Sequence, residues 1–405
     1  MATTTDDLAA RIDAALGDAT RLRRDLHAHP ELKFREERTS AVVRRHLTEL
    51  GIEHATGVGG EDPGTGFGVV AHLPATTDDP GACIGLRADM DALPIEEQTG
   101  APYASTNTGV MHACGHDGHT TVLLTAAKIL AQTPRRPNAI TLVFQPAEEG
   151  GAGAAKLIRD GLLDGSIVGD PITRMYGLHG WPDETLGTVA TRPGPLLAAA
   201  DMFTVTVRGV QAHAAYPHLG RDPVLAGAAI VQAAQSIVSR STKPTDAAVV
   251  SITRFHAGTA HNIIPASAEL HGTVRSLGED QRRFNRERFD EIATHTARAL
   301  GCEAEIEWIP GYPVTMNDPT ETDRVLGTAR SCRRVRETKV VPDPTLGGED
   351  FAFYAAKIPA CFAFIGLADD PGTRYPGLHT PTFDFNDGAL GIGIEMMCSL
   401  GLAEL

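Results

Sequence analysis

Short apolar runs that alternate with helical patterns constrain the fold of this chain more than any other feature of its sequence. Four runs end abruptly in polar or Gly/Pro-containing turns, which is typical of buried strands. They lie at residues 83–87, 139–145, 174–178 and 361–366. Between several of them, apolar residues recur at the three- and four-residue spacing of helices. These helical patterns cover residues 40–50, 120–130 and 154–163. The alternation predicts an α/β fold with a mostly parallel sheet and helices on both faces.

The middle of the chain follows a different order of elements. Its pattern predicts strands and helices in the order β-α-β-β-α-β, a unit that folds as a sheet with two helices on one side. The predicted elements are a strand at 202–208, a helix at 224–238, strands at 247–253 and 268–274, a helix at 281–300 and a strand at 303–308. A chain of 405 residues also exceeds what one hydrophobic core usually organises. We therefore expect a first domain formed by residues 1–195 plus 311–405, with an inserted domain at 196–310.

Charge, hydropathy and cysteine usage exclude several classes of protein. The net charge of -15 argues against a nucleic-acid partner, because such proteins normally carry a concentrated basic surface. The sequence has no run of 18 uncharged apolar residues, and residues 1–24 lack the basic-then-apolar order of a signal peptide. Six cysteines lie far apart without paired spacing, which favours a reducing compartment. We expect a soluble cytoplasmic protein that binds neither nucleic acid nor a membrane.

The segment MHACGHDGH, at residues 111–119, packs three histidines, one cysteine and one aspartate into nine residues. Cys114 and His116 are two apart, so an extended backbone would point both side chains to the same side. A thiolate and an imidazole suit zinc or another transition metal. Either residue alone would more often be a buried cysteine or a satisfied histidine, but the cluster favours a metal site.

The segment QPAEEGG, at residues 145–151, follows a predicted strand and precedes a helical pattern. Adjacent acids are usually solvated, but here the glycines allow a tight turn at the carboxyl end of a strand, where α/β sheets bind ligands. Two neighbouring carboxylates beside a metal can divide the work between ligation and proton transfer. We assign Glu149 as a ligand and Glu148 as the general base and acid.

Two further histidines are expected past the ends of buried strands. His179 follows the run at 174–178, and His379 follows the run at 361–366 after a loop. Singly, each would more often be structural. With the other candidates they complete five ligands, which are more than one tetrahedral ion needs and therefore imply two neighbouring metals. The five ligands are Cys114, His116, Glu149, His179 and His379. Whether the cysteine thiolate bridges the pair is left open.

Other acids and histidines near these segments are candidates for supporting roles. Asp91, in RADMDALP, is expected to accept the second N–H of a histidine ligand and so to fix its ring. Asp89 is equally consistent with that role and with a solvated loop. For Asp117, His112 and His119, helix capping or support of a ligand is the favoured interpretation.

These segments resemble the aminoacylase and carboxypeptidase G family of metallopeptidases, in the branch of hippurate hydrolases and plant auxin-conjugate hydrolases. The resemblance spans nearly the whole chain and keeps the order of several independent motifs. They are RRDLHAHPEL (23–32), RADMDALP (87–94), HACGHDGH (112–119), PAEEG (146–150), GLH (177–179), GGEDFAFY (347–354) and GLHTPTF (377–383).

The resemblance implies the same five ligands of a dinuclear centre and the same catalytic carboxylate, Glu148. It also implies that the inserted domain is a lid through which the chain forms a homodimer. In that lid His213 would reach across the dimer to stabilise the tetrahedral oxyanion. Asn262 and Arg275 would hold the substrate carboxylate, for which a guanidinium is a suitable bidentate partner.

The chain departs from the broader family at two positions, which leaves the metal open. Many zinc-dependent relatives have a histidine where Asp89 stands and a bridging aspartate where His116 stands, whereas this branch adds Cys114. A thiolate favours zinc, cobalt or nickel over manganese, yet the branch is linked with manganese. We expect two divalent ions, zinc or manganese in the first place, with cobalt or nickel as alternatives.

The predicted reaction is metal-dependent hydrolysis of the amide bond of an N-acyl-L-amino acid or a similar small amide. The products would be a carboxylic acid and a free amino acid. One alternative is a dipeptidase or carboxypeptidase acting on small peptides, and another is a metal-binding protein without hydrolytic activity. An intact Glu148 argues against the last, because metal storage has no use for an unligated base.

Overall fold

The chain forms two compact units in a computed structural model that describes residues 5–78, 80–370, 372 and 374–404. The larger unit holds the described residues up to Leu196, Met316–Asp343 and those from Asp350 onward. The smaller unit comprises Leu197–Thr315 and Pro344–Glu349.

The helices and strands are numbered here in chain order. The helices are α1 Thr5–Ala28, α2 Glu37–Glu49, α3 His116–Ala131, α4 Glu148–Gly151, α5 Gly153–Arg159, α6 Pro223–Ser236, α7 Glu279–Ala299, α8 Pro319–Ser331, α9 Ala352–Ala355 and α10 Leu390–Leu402. The strands are β1 Glu53–Val58, β2 Gly68–Leu73, β3 Cys83–Asp89, β4 Ala139–Gln145, β5 Ile172–Thr185, β6 Thr188–Thr191, β7 Gly194–Leu197, β8 Ala199–Arg208, β9 Ala212–His213, β10 Ala248–Ala257, β11 Ile263–Ile264, β12 Ser267–Ser276, β13 Glu303–Ile309, β14 Thr315–Asn317, β15 Glu337–Val340 and β16 Ala360–Ala368.

The larger unit is built on a sheet with the strand order β1-β2-β4-β3-β5-β16-β6-β15. Its centre is parallel, because β4, β3, β5 and β16 pair in the same direction, and β6 pairs in parallel with β15. The remaining pairs, β1 with β2, β2 with β4 and β16 with β6, are antiparallel. The four central strands are those predicted from the apolar runs. The prediction of an α/β fold with a mostly parallel sheet is confirmed.

The central strands are largely apolar, as expected of strands that are covered on both faces of the sheet. Every residue of β3, β4 and β16 is buried. The strand predicted at 174–178 was too short, since β5 continues to Thr185. Its second half pairs with β16, and one of these pairs joins His179 to Phe364.

Helix α3 is the rigid support for one side of the sheet edge described below. All of its residues except Lys128 and Ala131 are buried, as expected of a helix inside a core rather than on a surface. It packs against α1 and α10, and the fully buried side chains of Ile12, Leu123 and Ile394 belong to the same core cluster. A side chain at the start of α3 is therefore fixed by the packing of the whole helix.

The smaller unit has a sheet of its own, in the order β10-β12-β8-β13, with every neighbouring pair antiparallel. Its main elements follow one another as β8, α6, β10, β12, α7 and β13. Alternate residues of β8, including Phe203 and Val205, are buried in a core with Ile230 of α6 and Phe289 of α7. One face of the sheet is thus covered by the two helices. A short ribbon, β9 paired with β11, stands apart from the sheet.

Across the described ranges, none of the helices combines the length and hydropathy needed to cross a lipid bilayer.

Candidate metal centre

Polar side chains from four segments meet at the carboxyl-terminal edge of the central strands. Asp89 is the last residue of β3, while Glu148 and Glu149 follow β4 after a two-residue turn. His179 lies on β5, and His116 is the first residue of α3. Parallel strands that end at one edge bring such residues together, and this edge is where open α/β sheets form ligand sites.

Cys114 lies at the centre of this group. Its Sγ is 3.4 Å from Nε2 of His179 and 3.3 Å from Nε2 of His379. The backbone N–H of His379 donates to the carbonyl of Ala113 at 2.8 Å, which ties the distant loop to the cysteine segment. The structure therefore brings together two histidines that are 200 residues apart in the sequence.

His116 and His179 are each held by Nδ1 and present Nε2. Nδ1 of His116 lies 2.9 Å from the carbonyl oxygen and 3.2 Å from Oδ1 of Asp91. Nδ1 of His179 donates to the carbonyl of Gly180 at 2.8 Å. A hydrogen bond of this kind fixes the tautomer and leaves the Nε2 lone pair for a metal ion. Buried Nε2 of His116 has no hydrogen-bond partner in the described part of the chain.

The donor atoms fit cation binding. Within each of three sets, one ligand atom per residue lies within 4.8 Å of the others: Cys114 with His116 and His179, Cys114 with Glu149 and His379, and His116 with Glu148 and Glu149. Two of the sets share the cysteine, and the unpartnered imidazole nitrogen would be satisfied by an ion. Thiolate, imidazole and carboxylate are ligands of divalent transition metals.

The electrostatic field of the site favours positive charge. Burial would lower the pKa of His116, but the carboxylates of Asp89 and Asp91 outweigh burial and raise it to about 10. Burial would raise the pKa of Glu149, but His379 and His116 lower it, so that Glu149 is held as a carboxylate. Burial, reinforced by neighbouring histidines, keeps the pKa of His179 well below its ordinary value. His179 as a neutral imidazole and Glu149 as a carboxylate are in the forms that bind metals, whereas an ion bound by His116 would displace the proton of its ring.

Asp91 connects the ligand His116 to the acidic turn. Its Oδ1 accepts the backbone N–H of Glu148 at 3.0 Å, and its Oδ2 accepts that of Glu149 at 2.9 Å. The same Oδ1 lies 3.2 Å from Nδ1 of His116. A single buried carboxylate thus orients both the imidazole and the turn that carries the two glutamates.

The acidic turn has an unusual backbone. Ala147 and Ala152 have φ of 55° and 54°, in the left-handed region that costs free energy for a residue with a Cβ. His379, in its separate loop, has a φ of 60°. The backbone N–H of Ala147 donates to Oε1 of buried Glu36 at 2.8 Å. A Cβ on Gly153 would lie 1.7 Å from the carbonyl of Pro146, so only glycine fits there. The tight turn predicted from the glycines is present, and it is held in place by its surroundings.

Two local expectations were wrong. The backbone between Cys114 and His116 is not extended, because Gly115 has a φ of 89° and His116 already begins α3. The two side chains converge through a left-handed turn and a helix start instead. His179 does not lie past a strand end but within β5, since pairing with β16 continues beyond it.

The open roles of the neighbouring polar residues can now be distinguished. Asp89 is fully buried and its Oδ1 pairs with Nδ1 of His119 at 2.7 Å, so the solvated alternative is excluded. Nε2 of His119 accepts the N–H of Gly180 at 2.8 Å, which occupies its second nitrogen and leaves none for a metal. Asp117 does not cap its helix; it accepts from Nε of Arg23 at 3.0 Å and pairs with Nδ1 of His27 at 2.8 Å.

Some polar residues at this edge were missed from the sequence. Arg87 and Asp350 are buried and hydrogen bonded to each other at 2.9 Å, and neither was assigned a role. The signals were present: Arg87 is a charge at the end of the apolar run at 83–87, and Asp350 belongs to the motif GGEDFAFY. His112 was expected to cap a helix or support a ligand. Both of its ring nitrogens are buried without a hydrogen bond to the described residues.

The three remaining predicted residues lie in the smaller unit. His213 ends β9 and is exposed, and its Nδ1 accepts the N–H of Ala215 at 3.1 Å. Asn262 is its close neighbour, because its carbonyl accepts the N–H of Ala214 at 2.9 Å. Arg275 is half-buried on β12, where its guanidinium contacts the hydroxyl of Thr273. The ribbon formed by β9 and β11 accounts for the proximity of the first two.

Comparison with known proteins gives a consistent result. Residues 85–402 match the group described as Peptidase family M20/M25/M40. The chain is 40% identical over 357 residues to the N-acetyl-L-cysteine deacetylase of Bacillus subtilis (strain 168), covering 88% of this chain and 82% of that protein. It is 35% identical over 394 residues to the IAA-amino acid hydrolase ILR1-like 4 of Arabidopsis thaliana, covering 95% of this chain and 85% of that protein. A crystal structure from Bacillus subtilis, described as a dinuclear metal-binding peptidase of the M20 family, superposes with a TM-score of 0.80 at 35% identity, covering 96% of this chain and 98% of that chain.

Proposed function

The chain belongs to peptidase family M20/M25/M40, and from this premise we propose that it hydrolyses the amide bond of an N-acyl amino acid. The products are a carboxylic acid and a free amino acid. The observation that carries the proposal is the convergence of thiolate, imidazole and carboxylate donors around Cys114, with the buried carboxylate of Glu148 beside them.

The chain is a metal-dependent amidohydrolase, and the names of its relatives support the substrate class. A deacetylase of N-acetyl-L-cysteine and a hydrolase of IAA-amino acid conjugates both cleave a bond between an acyl group and an amino acid. The acyl groups in those two names differ greatly in size. The shared part of the substrate is therefore the amino acid with its amide nitrogen and carboxylate.

Five residues hold two divalent ions in this proposal. They are Cys114, His116, Glu149, His179 and His379. When bound, the ions polarise the substrate carbonyl and make water acidic enough to react near neutral pH. Zinc or manganese is the proposed metal, with cobalt or nickel as alternatives, because the thiolate favours the softer ions and the branch resemblance favours manganese.

Glu148 moves the proton. It accepts a proton from the attacking water and returns it to the nitrogen of the leaving amino acid. The position of Glu148 supports this role, since its carboxylate is buried at the edge of the ligand cluster and its Oε1 accepts the N–H of Asp350 at 3.3 Å. Asp91 orients both Glu148 and His116 through the hydrogen bonds described above.

Residues 196–310 act as an inserted lid and dimerisation domain in this proposal. His213 from a second copy of the chain stabilises the oxyanion, while Asn262 and Arg275 bind the substrate carboxylate. The exposure of His213 supports the role, because a residue that serves another copy must be accessible. Large apolar side chains exposed on the same unit support dimerisation, among them Leu219, which is 67% exposed.

A cytoplasmic location is part of the proposal. The six cysteines are all buried, and none of them forms a disulfide within the described part of the chain. Cysteines that do not form disulfides are typical of proteins in a reducing compartment.

A screen of substrates and metals tests the proposed function. The metal-free chain is reconstituted separately with zinc, manganese, cobalt and nickel and assayed on N-acetyl and N-benzoyl amino acids and on dipeptides. We expect kcat/KM on the best N-acyl amino acid to exceed that on every dipeptide. A preference for dipeptides would replace the proposal with a peptidase, and inactivity with all four metals on all substrates would favour a non-catalytic metal-binding protein.

A further inference from the structure

Arg87 is a buried cation at the edge of the metal centre whose three nitrogens are all engaged. It lies on β3, two residues before Asp89, and is 1% exposed. Its Nε donates to Oε1 of Gln145 at 2.9 Å, its Nη1 to Oδ2 of Asp89 at 2.6 Å and its Nη2 to Oδ1 of Asp350 at 2.9 Å. A charge is retained in a protein interior only when it is paired and hydrogen bonded, and both carboxylate partners are themselves fully buried.

One branch of this network leads to Glu148. Asp350 accepts from Nε2 of Gln145 at 2.8 Å and from the backbone N–H of Ala154, at the start of α5, at 3.0 Å. The backbone N–H of Asp350 in turn donates to Oε1 of Glu148 at 3.3 Å. Asp350 therefore holds the helix that follows the acidic turn and also supplies a donor to the carboxylate that moves the proton.

The other branch leads to Asp89. Its Oδ2 accepts from Arg87, and its Oδ1 is paired with Nδ1 of His119 at 2.7 Å. Both carboxylate oxygens are thus occupied by neighbours, although Asp89 lies only 3.7 Å from Nε2 of His116. The arginine keeps this acid engaged in the network instead of free to bind a metal.

We propose that Arg87 is a positioning residue that places Glu148 for proton transfer by fixing Asp350. The inference rests on the proposed role of Glu148 as the base. It extends that role, because it gives a function to the cation that is buried at the edge of the proposed metal centre. Arg87 acts through Asp350, to whose Oδ1 its Nη2 donates at 2.9 Å.

The three acceptors around Arg87 require a planar guanidinium with several N–H donors. Arginine reaches Gln145, Asp89 and Asp350 with three separate nitrogens in one plane, whereas lysine offers a single ammonium on a flexible stem. Lysine would preserve the charge but leave part of the network unpaired. A shift of Asp350 would then move the donor of Glu148, and misplacement of a reacting group by about 1 Å can cost up to roughly 100-fold in rate.

Four variants test the proposal: Arg87→Lys, Asp350→Asn, Glu148→Gln and the double variant Arg87→Lys/Glu148→Gln. The matched control is Arg136→Lys, because Arg136 is also buried, at 8% exposed, and its guanidinium donates to the carbonyls of Pro74, Leu130 and Thr133. It precedes β4, at the opposite end of that strand from Gln145. The measurements are kcat and KM on an N-acetyl amino acid, metal content per chain, and thermal unfolding of the metal-free protein.

We expect Arg87→Lys to lower kcat by roughly 10- to 100-fold, with KM within about threefold of the wild type and with metal content unchanged. Asp350→Asn should act in the same direction, which keeps the test decisive if the lysine variant does not fold. Because Arg87 acts through Glu148, the double variant should turn over within about twofold of Glu148→Gln alone. A purely structural role would instead give independent, multiplying effects.

Three results would overturn the proposal. They are a kcat for Arg87→Lys equal to that of Arg136→Lys, multiplying losses in the double variant, and loss of metal from both Arg87→Lys and Asp350→Asn. The last would mean that the network supports the ligands and not the base. Full turnover by Glu148→Gln is a different failure, since it would remove the assigned base itself, whereas an inactive Glu148→Gln beside a fully active Arg87→Lys would refute only the role of Arg87.

Discussion

Two histidines, His116 of the larger unit and His213 of the smaller unit, are held in opposite ways. His116 is buried, and Asp91 fixes one nitrogen of its ring. His213 is exposed, and the contact of its ring nitrogen is with the N–H of Ala215, two residues away. The first arrangement is set by packing before any ion or substrate arrives, while the second leaves the side chain available to a ligand or a second copy. The difference suggests that the metal centre is preorganised and that the smaller unit completes its function on binding.

The largest effect is expected from Glu148→Gln. The amide keeps the size of the side chain but cannot accept a proton from water, so kcat should fall by roughly 10²- to 10⁴-fold or more. Metal content should stay at the wild-type value, because Glu148 is not among the five assigned ligands. Turnover with metal analysis measures both, and Glu149→Gln is the control that should lose metal. Wild-type turnover by the Glu148→Gln enzyme would break the division of roles between the two glutamates.

The sequence was sufficient to predict those parts of the site whose residues lie close together along the chain. Cys114 and His116 share one short segment, and Glu149 closely follows an apolar run, so that residue type and strand ends together indicated a ligand cluster. The periodicity also located the central strands, because strands covered on both faces are continuously apolar. The geometry that joins these segments was less visible. The left-handed turn at Gly115 has no pattern beyond the glycine itself.

The contacts that the sequence could not show are those between distant segments. Arg87 and Asp350 are 263 residues apart, and no local periodicity links them. The second half of β5 was missed because its sequence, HGWPDET, contains a proline and polar residues that are typical of a turn. Its pairing with β16 nevertheless extends the strand past His179. Tertiary pairing overrode the local preference at this point.

An intermediate effect is expected from Asp91→Asn, which tests whether the metal centre is preorganised. Each carboxylate oxygen of Asp91 accepts one backbone N–H, from Glu148 at 3.0 Å and from Glu149 at 2.9 Å. An amide has only one acceptor, and its NH₂ would face a donor. We expect a loss of roughly 10- to 100-fold in metal affinity or turnover, as for other residues that orient ligands.

Asp160→Asn is the matched control for this variant. Oδ2 of Asp160 also accepts a backbone N–H, that of Gly59 at 2.8 Å, but it takes no part in the ligand cluster. Metal titration and kcat of the two variants should therefore differ. Equal metal affinity and equal kcat in the two variants would show that the acidic turn keeps its shape without Asp91. The claim that the metal centre is preorganised would then be weaker.

The smallest effect is expected from Arg275→Lys, which probes the smaller unit directly. If Arg275 binds the substrate carboxylate bidentately, lysine should lose about one charge-assisted hydrogen bond, worth roughly 1.5 kcal/mol or about tenfold in KM, with kcat and metal content nearly unchanged.

Arg208→Lys is the control, because Arg208 forms an exposed ion pair with Glu305 at 2.9 Å, and such pairs contribute little. Substrates in which the carboxylate is replaced by a carboxamide sharpen the comparison, since the wild-type and Arg275→Lys enzymes should bind them with the same KM. If KM of the Arg275→Lys enzyme rises tenfold for both kinds of substrate, Arg275 supports the fold of β12 and does not bind the carboxylate. The smaller unit would then have to recognise the amino acid through Asn262 or through residues that its sequence does not reveal.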